Sequence, residues 1–301
     1  MSDMRIPRIP PRRLILAGGG VRVISYMGVL QVLQENQLMG QLREIGGVSA
    51  GALVALMLAL QYSQRVLERF CYEYNFHQLQ NIDPEQLFLA MDQLGVDTGE
   101  KLEQLIHKIL HHKGFAPNVT FGELAASGKT RSLRVWASDL ERIQMVEFSA
   151  EQTPHIEVAL AVRASMSYPM YYTPVKHPDT NTLLVDGGML DNFPMSVLSE
   201  EEAAETIGCV FTYKEGEPLR ITNLTEMLSV LTMGYYMPVY QKILQKYRDS
   251  IICIPCAHQS VLDFDISTEH RQQLVLYGRQ ATEEFLQKVV KPNMGRRHSV
   301  S

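Results

Sequence analysis

Residues 43–61 read REIGGVSAGALVALMLALQ, and this stretch decides the fold. Arg43 to Val48 forms a short strand-like run, Ser49 follows, and Ala50 to Gln61 is a strongly apolar segment of helical length. The junction Gly47-Val48-Ser49-Ala50-Gly51 fits G-x-S-x-G between a strand and a helix, the setting of a nucleophile elbow. A serine hydroxyl is a weak nucleophile until it is held exposed, beside a base and near donors that stabilise negative charge. The small Gly47 and Gly51 let such a turn pack tightly, and the following helix directs its positive end toward Ser49. Taken alone, the pentapeptide fits equally well a turn in which Ser49 only caps the helix.

The segment upstream repeats the plan. Leu14 to Ala17 reads as a strand, Gly18, Gly19 and Gly20 as a loop, and the chain to Glu35 as a helix with Met27, Leu30 and Leu33 at helical spacing. Two consecutive strand–turn–helix units predict an α/β fold: a parallel sheet with helices on its faces and right-handed crossovers. Backbone N–H groups of Gly18 to Gly20 can point into one small volume beside Ser49 and stabilise a tetrahedral oxyanion, with Arg22 placed to support the loop. A dinucleotide site is the competitor. G-x-G-x-x-G needs a final glycine where Val23 stands, and no acidic residue closes the second strand, so no nucleotide is expected.

Downstream, Leu183 to Val185 reads as a strand ending at Asp186, followed by Gly187, Gly188, Asn192 and Pro194. A carboxylate held against a serine hydroxyl can take its proton directly if desolvation raises its basicity. Asp-Gly-Gly is also an ordinary turn. A Ser–acid–His triad would need His258, His270 or His298 as its third member, and none stands in a convincing context.

The remaining chain reads coarsely. Gln64 to His112 is helical, with Pro84 at a first helical position after Asp83, and Thr120 begins a short helix. Leu133 to Ser138 and Met145 to Phe148 make a hairpin, and Glu157 to Ser165 a helix. Thr206 to Tyr213 and Ser250 to Pro255 read as strands, and His270 to Val290 as a closing helix. Leu224 to Tyr247 reads as a long Met- and Tyr-rich helical segment interrupted near Gly234 and Pro238.

Composition excludes several classes. The 301 residues carry a net charge of -5, unlike a nucleic-acid binder with a basic face. Arg5, Arg8, Arg12 and Arg13 at one end and Lys288, Lys291, Arg296 and Arg297 at the other read as solvated tails, with contact to an anionic membrane as the alternative. Arg296, Arg297 and Ser299 match a basophilic kinase pattern of the kind chance supplies in polar tails. Cys71, Cys209, Cys253 and Cys256 read as structural free thiols in a reducing compartment, and the lone C-x-x-C lacks a second pair at zinc spacing, so no metal is expected. The longest apolar run, Ala52 to Leu60, is short of the roughly 20 residues that span a bilayer. Pro7, Pro10 and Pro11 break the N-terminal segment, so neither a transit nor a secretory peptide is expected. The reading is therefore a cytoplasmic protein that can visit membranes, with tails at 1–12 and 291–301 around one domain at 13–290.

The three elements in this order resemble the patatin-like phospholipase family: G-G-G-x-R at Gly18 to Arg22, the elbow around Ser49, and Asp186-Gly187-Gly188 followed by Asn192 and Pro194. Arg163 to Val175 (RASMSYPMYYTPV) is similar to the family's A-S-x-x-x-P block. Ala137 to Leu140 (ASDL) resembles its A-T-D-L strand end, and Leu262 to Ile266 (LDFDI) the C-terminal part of bacterial members. The resemblance runs from about Arg13 to Leu286. It implies a three-layer α/β/α fold with a mostly parallel central sheet. It also implies a Ser49–Asp186 dyad, an oxyanion hole at the backbone of Gly18, Gly19 and Gly20, no cofactor, and a lipid or membrane-surface substrate. Val23, Ser25 and Tyr26 depart from the family's usual glycine and Gly-Ala, which leaves two readings open: an active lipid acyl hydrolase, or a lipid-binding or regulatory protein with little turnover. The need for a protein activator also stays open. Leu87 to Leu110 and Leu224 to Tyr247 are candidates for the wall or lid of an apolar slot, with Tyr235, Tyr236 and Tyr240 at a lipid–water interface, against the simpler reading of core helices.

Overall fold

The computed structural model describes residues 10–82, 84–213, 221, 224–256 and 260–296. The expectations for Arg5 and Arg8, Asp83, His258, and Arg297, His298 and Ser299 lie outside the described residues.

The chain runs β1 (Arg13–Leu16), α1 (Tyr26–Glu35), β2 (Glu44–Val48), α2 (Ala50–Ala59), α3 (Gln64–Glu73), α4 (Pro84–Gln93), β3 (Gly95–Asp97) and α5 (Glu100–His112). It continues with α6 (Phe121–Ala126), β4 (Ser132–Asp139), β5 (Gln144–Ser149), α7 (Val158–Ser165), β6 (Met170–Tyr172), β7 (Val175–Lys176) and β8 (Leu183–Asp186). It closes with α8 (Glu200–Ala204), β9 (Thr206–Phe211), α9 (Leu224–Lys246), β10 (Ile251–Ile254) and α10 (Thr268–Arg296). The main sheet has the order β10-β9-β1-β2-β4-β8-β7, with β5 on β4. The pairs from β10 to β4 are parallel, and β5, β8 and β7 join antiparallel.

Alternation along the strands builds the layers. Leu14 and Leu16 of β1, Val135 of β4 and Cys209 of β9 enter a large core with α1, α2, α5, α7 and α10. Ile15, Trp136 and Val210 point to the other face, where Phe193, Met195 and Ile243 of α9 cover them. The period of two thus puts a thick helical layer on one side and a thin one on the other, the expected three layers. Every residue of α2 is buried, as a helix apolar on all sides must be. At α6 the Thr120 side chain accepts from the Glu123 N–H while Glu123 accepts from the Thr120 N–H, a capping box.

Several expectations need correction. α9 runs unbroken through Gly234 and Pro238, although Pro238 has no N–H to give the Gly234 carbonyl and so weakens the ladder there. β3 pairs in parallel with β6, and β7 pairs with β8, inside stretches read as helical or irregular. Such short strands carry no periodicity to read. α10 begins before His270 and passes Val290 to Arg296, into the stretch read as tail. Arg12 and Arg13 are not part of a free tail: Arg12 pairs with Glu205, and Arg13 with Glu44, Glu202 and Glu205, fastening the start of β1.

Candidate active site

β4 acts as a ruler that brings two distant residues together. It pairs with β2 as far as Trp136, opposite Val48, and with β8 from the next residue, Ala137 opposite Asp186. Ser49, the residue after Val48, therefore lands beside Asp186. Its Oγ donates to Asp186 Oδ2 at 2.5 Å.

Ser49 sits at φ 54°, ψ -133°, a region costly for a residue with a side chain. The strain is contained by close packing. A Cβ at Gly47 would meet the Gly51 carbonyl oxygen at 2.4 Å, and one at Gly51 would meet the carbonyl oxygens of Leu16 and Ala17 at 2.6 Å. The turn can therefore lie directly on the end of β1. The Ser49 N–H donates to Ser165 Oγ at 2.9 Å, and that hydroxyl donates to the Trp136 carbonyl at 2.6 Å. Ser165 thus satisfies the backbone at both the elbow and the point where β4 changes partners.

Asp186 is buried. Its Oδ1 accepts from the Gly188 N–H at 2.8 Å, and its own N–H donates to the Ser167 carbonyl at 2.9 Å. Burial pushes its carboxyl up to about 6, opposed by the hydrogen bonds from Ser49 and Gly188. A carboxylate of that basicity is competent to accept a serine proton near neutral pH.

The glycine loop faces the same point. Gly18 backs onto Ser49, and its carbonyl accepts from Asn192 Nδ2 at 2.9 Å. The Gly18 N–H makes a long bond of 3.4 Å to the Asn192 carbonyl, whereas those of Gly19 and Gly20 have no acceptor among the described residues. Gly20 has φ +55°, and a Cβ there would run into the Val261 carbonyl oxygen at 1.8 Å, so the loop admits no side chain at that position. A 3-10 turn over Gly20–Ser25 follows before α1 begins. Arg22 hydrogen-bonds Tyr213 beyond the end of β9, tying the turn to the neighbouring strand. Ser25 donates to the Arg22 carbonyl at 2.8 Å. The hydroxyl of the buried Tyr26 donates to the Ala17 carbonyl at 2.7 Å, and its ring stacks on Phe211 at 5.1 Å. The departures at Ser25 and Tyr26 therefore buttress the loop from behind.

Ser49, Asp186 and the glycine loop open into a cavity of about 540 Å³, within the range of ~300–1,000 Å³ usual for small-molecule sites. Met233, Met237, Tyr240 and Leu244 of α9 form one wall, and Phe70, Phe76 and Phe264 add aromatic lining. Of the two candidate segments α9 supplies a wall of the slot, whereas Leu87 to Leu110 follows the alternative reading of core helices. Among the described residues that stretch contributes nothing to the lining; α5 turns Leu102, Ile106 and Leu110 into the core. An apolar stripe does not say which apolar region it faces. Tyr240 lines the cavity and Tyr235 faces outward at 86% exposure; the side chain of Tyr236 lies outside the described residues.

Among the described residues no histidine lines the cavity, and no group of three or more His, Cys, Asp or Glu side chains is placed to hold a metal ion. The four cysteines are free thiols, with Cys71, Cys209 and Cys256 buried and Cys253 exposed. Among the described residues no helix is long and apolar enough to cross a membrane. Sequence reasoning missed the roles of Ser165 and Tyr26. The A-S of Ala164-Ser165 was visible as a motif, but its hydrogen bonds depend on the β4 register.

Comparison with known proteins gives a consistent result. The family model for patatin-like phospholipases matches residues 14–199. The Bacillus subtilis protein YqhO is 30% identical over 295 residues, covering 91% of this chain and 97% of its own. The protein R571 of Acanthamoeba polyphaga mimivirus is 26% identical over 93% of this chain and 95% of its own. Among solved structures, VipD from Legionella pneumophila superposes with a TM-score of 0.64 at 19% identity, covering 93% of this chain and 67% of that one, a likeness of fold.

Proposed function

The chain belongs to the patatin-like phospholipase family, and from that premise we propose that it is a lipid acyl hydrolase working through Ser49 and Asp186. Ser49 Oγ attacks the carbonyl carbon of a lipid ester while Asp186 Oδ2 accepts its proton. The carbonyl oxygen, now negative, takes hydrogen bonds from the backbone of the glycine loop, with Gly19 and Gly20 as the donors free to give them. Collapse of the tetrahedral species breaks the ester C–O bond, and the proton on Asp186 goes to the leaving alcohol. Water then attacks the acyl-serine with Asp186 again as base, releasing fatty acid and restoring Ser49.

The observation that carries this reading is the 2.5 Å contact between Ser49 and a buried carboxyl raised to about 6, at the mouth of an apolar cavity. Ser25 and Tyr26 are bonded behind the loop and leave the oxyanion volume clear, which favours turnover over binding alone. The hydrolase unit we assign starts with β1 at Arg13 and runs through α10, which passes the expected boundary at Val290. The test is fatty-acid release from phospholipid vesicles and from a soluble short-chain ester, for wild type, Ser49→Ala and Asp186→Asn, with and without a chelator. Loss in both variants and no chelator effect is the expected outcome; activity retained by Ser49→Ala overturns the reading.

A further inference from the structure

The helix that walls the cavity has a second apolar face. Met233, Met237, Tyr240 and Leu244 of α9 turn inward to the lining. On the outer side Met227, Leu231, Tyr235 and Val239 recur every fourth residue and are 43%, 64%, 86% and 59% exposed. Residues four apart on a helix share a face, so these side chains form one stripe along α9. Lys242 and Lys246 lie two turns beyond Tyr235 and Val239, and therefore continue the same face with cations. Both are exposed. The Lys246 ammonium lies over the Tyr247 ring at 4.8 Å and hydrogen-bonds that residue, with Glu200 a weaker acidic influence. Glu226, the acidic residue in the first turn of α9, projects from another side of the helix.

An aqueous surface gives no reason for large apolar side chains on the outside of a helix whose inside is already apolar. The pattern of apolar stripe, aromatic and terminal lysines suits the boundary between headgroups and acyl chains, where the stripe enters the hydrocarbon and the ammonium groups meet anionic headgroups. α9 does not qualify as a membrane span, so it would lie along such a surface.

We propose that the outer face of α9, from Met227 to Lys246, is a docking surface for an anionic lipid bilayer, which sets the cavity beside the layer holding its substrate. The inference rests on the hydrolase reading for the identity of that substrate, while the docking itself is independent of Ser49. Lipid would then pass from bilayer to cavity along the helix that contacts both. The weakness in the ladder at Gly234 and Pro238 lies midway along the stripe, where the helix can bend without unfolding.

The experiment is co-sedimentation of the full chain, carrying Ser49→Ala so that vesicles stay intact, with vesicles of phosphatidylcholine alone and of phosphatidylcholine with phosphatidylglycerol. The stripe variant is Leu231→Glu with Tyr235→Glu, and the charge variant is Lys242→Glu with Lys246→Glu. Both pairs are also placed in the wild-type background and assayed on a soluble monomeric ester. Wild-type binding is expected to be strongest on the anionic vesicles. The stripe variant should weaken it roughly tenfold or more. The charge variant should remove the preference for anionic vesicles, each lysine near such a surface being a factor of about five. Turnover of the monomeric ester should stay within about twofold of wild type, since none of the four residues lines the cavity. Undiminished binding by the stripe variant, or no wild-type binding to either vesicle, overturns the docking surface. So does a wild-type dimer in sedimentation that the stripe variant dissociates, which assigns the face to a second copy. Absence of ester turnover in wild type strikes the hydrolase reading instead and leaves the vesicle result standing.

Discussion

The cavity has two walls built on opposite plans. At the strand ends, the polar groups around Ser49 are held by fixed partners: its N–H by Ser165, its hydroxyl by Asp186, the Gly18 carbonyl by Asn192. The other wall is α9, where the cavity meets Met233, Met237 and Tyr240 on a helix half open to solvent, with a proline in its course. Bond-making needs placement to within about 0.5 Å, which only an interlocked wall provides. Accommodating a flexible chain needs unbranched, adaptable side chains, and methionine supplies them. Substitutions on the first wall should therefore change how fast the reaction goes, and those on the second which acyl chain is accepted.

The largest effects test the first half of that division. Ser49→Ala and Asp186→Asn should each lower kcat by about a thousandfold or more, as for residues that act as one unit. The burial that makes Asp186 basic also gives the site a pH signature. kcat/KM should rise along an acid limb with its midpoint near the carboxyl's value of about 6. Stability moves the other way. The folded protein keeps this proton up to about 6, while an unfolded aspartate loses it near ~3.9. Stability contributed by the site is thus lost as pH rises between these values and stays lost above. Asp186→Asn removes that loss, by at most about 3 kcal/mol. Its melting temperature should exceed the wild type's above pH 6 and match it below about pH 4. A variant no more stable than wild type at pH 8 would mean that the carboxylate is not strained by burial.

Ser165→Ala is next in size. It leaves the Ser49 N–H and the Trp136 carbonyl without their hydroxyl partner, a cost of about 1–3 kcal/mol for buried groups, or roughly 5- to 150-fold in rate if the elbow relaxes. Steady-state kinetics on a short ester should show the loss in kcat with KM nearly constant. A rise in KM alone would mean that Ser165 shapes the binding space and that the interlocked wall does not end where the hydrogen bonds suggest.

The contrast between the walls also explains what the sequence could reveal. Strand, turn and helix around Gly18 and Ser49 were readable because each glycine answers a local demand, and the Ser49–Asp186 pairing because the motifs occur in a familiar order. Ser165 was unreadable in function, since its role comes from β4 exchanging β2 for β8 after Trp136, a matter of register between distant strands. α9 was readable as an apolar helix, but the break expected at Gly234 and Pro238 does not occur, because proline removes one hydrogen bond without removing the helix's packing on Phe193 and Met195. Leu87 to Leu110 left the same choice open between slot wall and core helix, and α5 takes the core: its stripe is real and is buried there. Periodicity reports that a face is covered, and the tertiary fold decides by what.

A smaller effect tests the adaptable wall. Met237→Trp places a large rigid ring in the cavity that Ser49 and Asp186 also line. Competition between long and short acyl esters should shift toward the short by about tenfold, the scale on which apolar pockets discriminate chain size. kcat on the short ester should be nearly unchanged. Equal loss on both chain lengths would show that α9 reaches into the chemistry and that the two walls are not separable.

The smallest expected effect lies at the seam. Tyr26 belongs to the interlocked side, yet it touches neither Ser49 nor the cavity. Its hydroxyl donates to the Ala17 carbonyl, the last one before the glycine loop, while its ring stacks on Phe211, which fills the space against Gly19. Tyr26→Phe keeps the stack and removes the hydrogen bond. The backbone just before the loop then loses a buried partner, at about 0.5–1.5 kcal/mol, while the ring still holds the loop's outline. kcat should fall severalfold, with KM and chain-length preference unchanged, and the melting temperature should drop in step. Tyr26→Ala removes the stack as well, and should cost far more in stability than in any remaining rate difference. If Tyr26→Phe instead alters chain-length preference, the change travels through Phe211, which lines the cavity, and the division between a wall for chemistry and a wall for the chain gives way at the glycine loop itself.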